Sequence, residues 1–431
     1  MKIGIIGGSG FYGNLPLFDG NSFSETKNYL ARTLEKERLR KYNWFGRLLH
    51  ALSGLGLSTD AKNKENPFLV PLVQEGKVEG VDAVFISRHG KGHFRLAHEV
   101  KYPATIAALK ELKASVAITT SAVGGINPNY SIGDFVVPDD TGEFFTGREN
   151  WVYSPTHYGI SPAYDPLLRK ALIEAGEELG LPIHDGGSYA IKRGPEFETA
   201  KEVEDLAKLG YDMVSMTTGT EAKLAKQTGL PLGTVCIVTN AAQKKGGQKV
   251  TDEEVQEIMK KRGEDFIRLL RLAVKKIYAT YDLGLAKEAV SLGRAKVSFF
   301  SDGQEIFQSK KGGVKPLLEA LESGKSFADA SAGDTIVGLA AARIFSELHV
   351  KSVYAETLSK EGKDFLEKAG INVSFNQLVE KIMNRERTDS CPFEKIAKET
   401  SAFSEAVGKM RAFLSEKSEP ALPPKIDDHS G

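Results

Sequence analysis

Short apolar segments alternate with amphipathic segments over most of the chain, and this alternation limits the fold more than any other feature. Residues 2–6, 82–87 and 232–239 are runs of β-branched and other apolar side chains bounded by glycine or polar residues, which is typical of buried strands. Residues 166–179 instead carry apolar side chains at helical spacing. We therefore predict an α/β fold with a mixed, mainly parallel sheet and flanking helices.

The chain is long enough for more than one domain, because 431 residues at roughly 150 per domain allow about two to three. We predict a first domain over residues 1–280, a linker over residues 281–293 and a second, smaller α/β domain over residues 294–414. The Asp-Gly pair at residues 302–303 separates two apolar runs and predicts a β-hairpin. Residues 415–431 are rich in proline, serine and charge, so we expect them to be disordered.

One stretch of the first domain, residues 21–66, differs from its surroundings. It is polar and helix-prone, and Phe45, Leu48 and Leu52 recur at helical spacing, so we predict a helical insertion. It is also basic, since residues 21–50 hold seven Lys and Arg against three Asp and Glu. Two interpretations remain open: a helix that lies on a membrane surface, and a helical arm that packs on the protein's own oligomer. We favour the second.

Composition excludes several classes of function. The 57 Lys and Arg balance the 57 Asp and Glu, so no overall field attracts nucleic acid or an acidic partner. Two cysteines, Cys236 and Cys391, are too few for a disulfide framework or a four-thiolate zinc site, and they fit a reducing compartment. The N-terminal apolar run is too short for a signal peptide, and no apolar stretch reaches the roughly 20 residues that span a membrane. We expect a cytoplasmic protein.

Polar and glycine residues follow several of the predicted strands. They include Ser9, Arg88 with His89, Ser121 with Ala122, Thr217, and Asn240. Because the carboxyl ends of parallel strands meet at one edge of a sheet, we expect these residues to lie close together. An arginine, several hydroxyls and exposed glycine amides suit a phosphate dianion.

Two nucleotide-binding motifs are disfavoured. The first glycine loop has no Lys in the P-loop position, which argues against a P-loop site. Gly8, Gly10 and Gly13 match the spacing of a dinucleotide-binding loop. That loop requires a helix next and an acidic residue after a second strand, whereas here Pro16 and the polar insertion follow.

Several motifs, taken in order, resemble the trimeric purine nucleoside phosphorylase and methylthioadenosine phosphorylase family. They are GIIGGSGFYG, SRHGKGH, TTSAVGGINP, SIGDFVVPDD, GPEFET, DMVSMTTGTEAKLAKQTGLP and VTN, and they extend over about residues 2–279. The resemblance implies the nucleoside phosphorylase fold and a homotrimer or homohexamer. It also implies a pentosyltransferase of purine salvage that converts a purine nucleoside and phosphate into free base and ribose 1-phosphate. No cofactor or metal is implied beyond inorganic phosphate as co-substrate.

The same resemblance assigns roles to individual residues. Phosphate binding is implied for Ser9, Arg88, His89, Ser121, Ala122 and Thr217. Substrate binding is implied for Phe197, Glu198, Met216, Asn240 and His157, with Met216 under the ribose, Asn240 in the catalytic position and His157 lent to a neighbouring subunit. Taken singly, each has a structural explanation; Glu198, for example, suits the first turn of a helix. Their joint occurrence in one order favours the functional interpretation.

Two of these positions bear on the purine base. Methylthioadenosine enzymes carry Asp at the position of Asn240 and a second Asp two residues on, whereas this chain has Ala242 there. The 6-oxopurine enzymes carry Asn and a Glu that matches Glu198. The resemblance therefore favours inosine and guanosine, with methylthioadenosine or methylthioinosine as the alternative. Asp252 aligns where nucleoside enzymes have a 5′-hydroxyl-binding His and methylthio enzymes an apolar residue, so the 5′ substituent stays open.

The second domain resembles a small family of unassigned function with a cytidine-deaminase-like fold. The matching stretches are KKGGVKPLLEALESG, AGDTIVGLAAA, VYAE and NRERTDSCPFEK. A zinc deaminase needs H-x-E and P-C-x-x-C, but Val350 and Lys351 follow His349, and Cys391 lacks a second Cys. We therefore expect a binding or regulatory module without zinc. A further alternative for the whole chain is a nucleotide-sensing protein that has lost turnover.

Overall fold

The computed structural model describes residues 1–8, 17–19, 24–30, 69–90, 95–143, 147–148, 152, 157–242, 250–384, 386 and 388–416. The chain divides into two compact units, Met1–Tyr281 and Asp282–Gly431. Each unit has its own sheet and its own buried apolar clusters. Within the described part of the chain, no helix is long and apolar enough to cross a membrane.

The first unit combines a sheet with flanking helices. Its described strands are β1 (Ile3–Gly7), β2 (Ser24–Leu30), β3 (Leu69–Val78), β4 (Val81–Ser87), β5 (Val116–Gly125), β6 (Phe135–Val137), β7 (Asp140–Glu143), β8 (Ile183–Asp185), β9 (Ser188–Ile191), β10 (Met213–Ser215) and β11 (Leu232–Ala241). Its described helices are α1 (Tyr102–Glu111), α2 (Pro166–Glu178), α3 (Ala200–Lys208), α4 (Thr218–Gln227) and α5 (Asp252–Ser291), the last of which runs past the boundary at Tyr281.

The sheet of the first unit is mainly parallel and brings several strand ends together. The strand order is β2-β3-β4-β1-β5-β10-β9-β7, while β11 pairs with β5 and β6, and β6 also pairs with β8. β1 runs parallel to β4 and β5, and β11 runs parallel to β5. These four strands therefore point their carboxyl ends toward the same edge. The predicted α/β class with a mixed, mainly parallel sheet is confirmed.

The central strand β1 shows why this sheet is stable. Ile3, Ile5 and Ile6 are fully buried, as expected for a parallel strand that is covered on both faces. Gly4 lets helix α1 approach closely, because a Cβ at Gly4 would lie 2.8 Å from Cδ2 of Leu109. Burying each large aliphatic side chain contributes about 1.5–3 kcal/mol.

Part of the predicted helical insertion is a strand. Residues 24–30 form β2, which pairs antiparallel with β3 from Leu30 opposite Leu69 to Ser24 opposite Glu75. The prediction of a helix was wrong here, because the backbone of β3 offers a sheet edge that local helix propensity does not take into account. The remainder of residues 21–66 lies outside the described residues. The choice between a membrane-surface helix and an arm packed on the oligomer therefore stays a prediction.

The second unit contains a five-stranded sheet, and its described strands are β12 (Val297–Ser301), β13 (Gln304–Ser309), β14 (Ser331–Val337), β15 (Ser352–Ser359) and β16 (Asn372–Val379). The strand order is β13-β12-β14-β15-β16. The described helices are α6 (Lys315–Glu322), α7 (Leu339–Glu347), α8 (Lys360–Lys368), α9 (Pro392–Glu399) and α10 (Phe403–Glu416). β12 and β13 form the hairpin predicted around the Asp-Gly pair. α10 continues through Glu416, so residues 415–416 of the predicted disordered tail are helical. Residues 417–431 lie outside the described residues.

The predicted linker over residues 281–293 is helical through Ser291, because α5 continues into the second unit. Ala286 and Ala289 are buried there with Phe300. Gly333 of β14 allows this approach, since a Cβ at Gly333 would lie 2.5 Å from the carbonyl oxygen of Ala286. The segment that the sequence predicts to be a linker is therefore a helix, and two alanines and a glycine allow it to pack against the sheet.

We expect residues 1–281 and residues 282–416 to fold as separate proteins. Tyr281 donates its hydroxyl to Asp165 within the first unit, and Asp282 accepts the amides of Asp302 and Gly303 within the second. Each fragment should show a cooperative thermal transition by circular dichroism. As a control, a first fragment ending at residue 268 should not fold, because it loses the buried Leu269, Leu270 and Ala273. An unfolded 1–281 fragment would contradict this division.

Candidate active site

A cavity of about 380 Å³ lies in the first unit at the shared edge of the parallel strands. Most of the residues that the sequence analysis singled out line it together. They are Arg88, His89, Ser121, Ala122, Phe197, Glu198, Met216, Thr217 and Asn240. These side chains come from distant parts of the chain, so the topology of the sheet is what assembles them.

Three further residues with an expected role at the site are Ser9, His157 and Asp252. Ser9 lies outside the described residues. His157 is exposed and is not among the described residues that line the cavity. Its implied role concerns a neighbouring subunit and stays a prediction. Asp252, at the exposed start of α5, does line the cavity, together with the buried Val255 of the same helix turn.

Arg88 is fully buried and is held from three sides. Its Nη1 donates to Oγ1 of Thr217 over 2.7 Å, and its Nη2 donates to Oγ1 of Thr119 over 2.5 Å. Glu221 faces the rest of the guanidinium, with Oε1 2.9 Å from Nε and Oε2 2.9 Å from Nη2. The guanidinium orientation is therefore fixed by protein groups before any ligand binds.

Sequence reasoning missed Glu221. It is the fourth residue of α4 and is fully buried, in contact with both Arg88 and Thr119. Burial raises the pKa of Glu221, and the charge of Arg88 counteracts that rise. The only signal in the sequence was a weak one: Glu221 shares a face of α4 with Thr218 and Ala225, one turn away on either side, and both of these residues are buried.

His89, Ser121 and Thr217 line the cavity together with Arg88. The Nδ1 atom of His89 lies 2.8 Å from the carbonyl oxygen of Arg95, so Nδ1 carries the proton and the ring is oriented. Oγ of Ser121 lies 3.4 Å from Oγ1 of Thr217 and 3.3 Å from the hydroxyl of Tyr189. Thr217 directly precedes α4, and a helix N-terminus adds backbone donors that favour an anion. This side of the cavity is suited to phosphate.

A buried carboxylate and an amide lie elsewhere in the same cavity. Glu198 is 5% exposed, and burial raises its pKa above the ordinary value of 4.5. The register of β11 against β5 shifts between Val238 and Asn240, and such an irregularity commonly redirects a side chain next to a site. Lys192 supports the loop that carries Glu198 by donating to the carbonyl oxygen of Phe197 over 3.2 Å.

The amide orientation of Asn240 follows from its neighbours. One end of the amide lies 3.2 Å from the carbonyl oxygen of Ala241, which can only accept, so that end is Nδ2. The other end, Oδ1, accepts the hydroxyl of Thr239 over 3.0 Å. Gly124 leaves room for this arrangement, because a Cβ there would lie 3.2 Å from Nδ2. One N–H and one lone pair remain to be offered to a ligand.

Met216 also lines the cavity, and its backbone is fixed. Its carbonyl oxygen accepts from the hydroxyl of Tyr102 over 3.2 Å and from Nη1 of Arg148. Gly194, at φ +76°, allows the loop before Phe197 to approach closely, since a Cβ there would lie 2.5 Å from the sulfur of Met216. Arg148 also donates to the carbonyl oxygens of Lys192 and Arg193, and sequence reasoning missed it.

The described residues contain no group of three or more His, Cys, Asp or Glu side chains that could hold a metal ion. The cavity instead combines a buried arginine, hydroxyls, a buried carboxylate and an amide. Such a set can bind an anion and hydrogen-bond the edge of a heterocycle, and it contains no activated nucleophile of its own among these groups. Chemistry at this site would therefore come from orienting reactants and stabilising charge.

Comparisons with known proteins agree with the motifs. The family model described as "Phosphorylase superfamily" matches residues 55–275, and a domain of unknown function, DUF1893, matches residues 287–414. A 6-oxopurine nucleoside phosphorylase from Pyrococcus furiosus is 40% identical over 220 residues, which cover 49% of this chain and 83% of that protein. The S-methyl-5′-thioadenosine phosphorylase of the same organism is 33% identical over 282 residues, covering 64% of this chain and 93% of that protein.

Solved structures lead to the same family. The methylthioadenosine phosphorylase from Schistosoma mansoni in complex with adenine matches with a TM-score of 0.53 at 26% identity, over 68% of this chain and 96% of that chain. The resemblance of the first domain is thereby confirmed, while the deaminase-like fold of the second domain stays a prediction. On its motifs, its sheet and these matches, the chain belongs to the phosphorylase superfamily.

Proposed function

We propose that the first unit catalyses the phosphorolysis of purine nucleosides, preferring 6-oxopurine nucleosides such as inosine and guanosine. The products would be the free base and ribose 1-phosphate, which is a purine salvage reaction. The observation that carries this proposal is the joint lining of one cavity by Arg88, Ser121 and Thr217 and by Glu198 and Asn240. The first set suits a phosphate dianion, and the second set suits a purine edge.

The phosphate would be held beside Arg88 and the N-terminus of α4. One of its oxygens attacks C1′ of the sugar as the bond from C1′ to N9 of the purine breaks, and the bonding electrons leave with the base. The transition state is an oxocarbenium-like sugar, so the anionic phosphate stabilises it from one face. Ser121 and Thr217 orient the phosphate, which converts an encounter in solution into a reaction between fixed partners.

The leaving purine takes up a proton from solvent at N7, and Oδ1 of Asn240 accepts the resulting N7–H while Nδ2 donates to O6. Glu198, when ionised, accepts from N1–H of a 6-oxopurine. Adenine has no N1–H, so the buried carboxylate would lack a partner, at a cost of about 1–3 kcal/mol. Both contacts therefore favour 6-oxopurines over 6-aminopurines.

The alternative substrates are methylthioadenosine and methylthioinosine, because relatives with phosphorylase activities of both names match the chain. Asp252 bears on this choice. A carboxylate at the cavity wall gains from a hydroxyl donor on the substrate, whereas a thioether has no hydrogen to donate. Asp252 is exposed, so we expect a smaller effect than that of the base contacts.

We also propose that the protein acts as a homotrimer or a pair of trimers, with the exposed His157 lent to a neighbouring subunit's cavity. Inorganic phosphate would be the co-substrate, and no other cofactor is proposed. The second unit would be a binding or regulatory module without zinc. If the chain were instead a nucleotide sensor, it would bind nucleoside without releasing base.

A substrate panel measured with the parent and with Asn240→Asp tests the base assignment. We expect kcat/KM for inosine and guanosine to exceed that for adenosine and methylthioadenosine by roughly two to three decades. Asn240→Asp should shift the ratio toward adenosine, because an ionised Asp accepts from an exocyclic amine and repels O6.

The matched control for that panel is Asn129→Asp, which makes the same change of charge at an exposed position outside the cavity lining. It should leave the ratio as in the parent. A parent that prefers methylthioadenosine would revive the methylthioadenosine assignment. A parent that binds nucleosides but releases no base would favour the sensor.

The raised pKa of Glu198 predicts a pH dependence. Because burial favours the protonated form, the carboxyl loses its ability to accept N1–H as the pH falls toward a pKa above 4.5. kcat/KM for inosine should therefore decline as the pH falls through the acid range, and the decline should begin at a higher pH than the ordinary glutamate pKa of 4.5 would give. Glu198→Gln should lower kcat/KM and remove that decline, whereas the exposed neighbour Glu196→Gln should keep it. An unchanged acid limb in Glu198→Gln would rule out Glu198 as its source.

A further inference from the structure

Glu221 touches Arg88 and Thr119 but is not among the described residues that line the cavity. Its two carboxylate oxygens face Nε and Nη2 of Arg88, each over 2.9 Å, and both side chains are at most 1% exposed. Arg88 itself lines the cavity. The carboxylate therefore lies behind the guanidinium, on the side away from the ligand space.

Such a pair is costly to build. Removing two charges from water costs several kcal/mol per ion, and the mutual attraction often only offsets that cost. A well-packed apolar pair could fill the same volume with comparable stability. Stability alone therefore gives no reason for a fully buried carboxylate at this position of α4, and its effect on Arg88 has to be considered.

The contacts of Glu221 determine which hydrogen atoms remain for a ligand. Glu221 occupies the Nε and Nη2 side of the guanidinium, so the Nη1 end is the part that Arg88 directs toward Thr217. Nη1 donates to Oγ1 of Thr217, and a hydroxyl that accepts in this way points its own proton elsewhere. Thr119 donates its hydroxyl to Glu221 and fixes the carboxylate in turn.

The pair also sets the charge of the subsite. An ionised Glu221 cancels the charge of Arg88, so a phosphate dianion meets oriented donors rather than a net positive charge. A site that works by orientation should lose affinity when the carboxylate is neutralised, although its net charge then becomes more positive. A site that works by charge alone should bind phosphate more tightly after the same change.

We infer that Glu221 is a positioning residue, which holds Arg88 and, through it, Thr217 in the orientation that binds phosphate. This inference rests on the proposed function and adds to it a residue that acts through Arg88 without touching the substrate. Glu221 differs in this respect from the residues that line the cavity. Loss of a lining residue would remove a direct contact with the ligand, whereas loss of Glu221 would act through Arg88.

The test compares Glu221→Gln with the parent by titrating inorganic phosphate in a calorimeter and by measuring KM for phosphate and for inosine. Glu221→Gln keeps the volume but can accept from only one side of the guanidinium. We expect Kd and KM for phosphate to rise about tenfold, with KM for inosine changed by less than about twofold. Glu221→Asp keeps the charge, so it should recover part of the phosphate affinity.

Glu143→Gln is the matched control, because it breaks a 2.8 Å ion pair with Lys223 of the same helix, α4, away from the cavity lining. It should alter stability without changing the ratio of the two KM values. If Glu221→Gln does not fold, Thr119→Val removes the other partner of Glu221 and should raise KM for phosphate by about threefold.

The outcomes separate the two proposals. A parent that releases no base in the presence of phosphate contradicts the proposed function. An active parent whose phosphate affinity is unchanged or tighter in Glu221→Gln overturns the positioning role and leaves the function intact. Equal rises in KM for phosphate and inosine would also overturn it, since they indicate general damage to the cavity.

Discussion

A guanidinium and a carboxylate that are both removed from solvent meet beneath the cavity of the first unit. Arg88 follows β4 and Glu221 lies in α4, so their contact connects two parts of the chain that are 133 residues apart. Through Thr217 and Thr119 the same contact reaches the start of α4 and the strand β5. The shape of the proposed phosphate subsite therefore depends on this pair, and a change in the pair would alter the contacts of each of these elements.

The residues proposed to bind the base are held differently. Glu198 lies on a loop whose backbone carbonyl oxygens accept hydrogen bonds from Lys192 and Arg148. The amide of Asn240 is oriented by hydrogen bonds with Thr239 and Ala241. These are hydrogen bonds to neutral groups or to the chain itself, so they leave Glu198 as a buried carboxylate whose pKa is raised. In the proposed reaction, the paired charge of Arg88 and Glu221 would orient phosphate, and the buried carboxylate of Glu198 would discriminate between purine bases.

Much of this architecture could be predicted from the sequence, because local patterns carry it. The apolar runs that became β1, β4 and β11 need only their own residues to be recognised, and the polar groups at their ends then follow from the parallel topology. Glu221 could not be assigned in this way. Its local context is that of a helix first turn, and only the three-dimensional contact with Arg88 gives it a role.

The same limit explains the errors at β2 and at the supposed linker. Residues 24–30 read as helix-prone, yet β3 supplies a partner for their backbone from a part of the chain that a local pattern does not include. Residues 282–291 read as a connector, yet Gly333 lets Ala286 pack against the sheet of the second unit. In each case a contact with a distant part of the chain, and not the local sequence pattern, determined the structure of the segment.

We propose that phosphate, and not water, displaces the purine base from C1′ of the sugar in this cavity. The most direct measurement is ³¹P nuclear magnetic resonance of the full-length protein with inosine and inorganic phosphate, with the released base quantified in parallel. We predict a ribose 1-phosphate signal that grows in equal amount with free hypoxanthine and does not appear without phosphate. Release of hypoxanthine with free ribose and no loss of inorganic phosphate would contradict it, as would the absence of any base release.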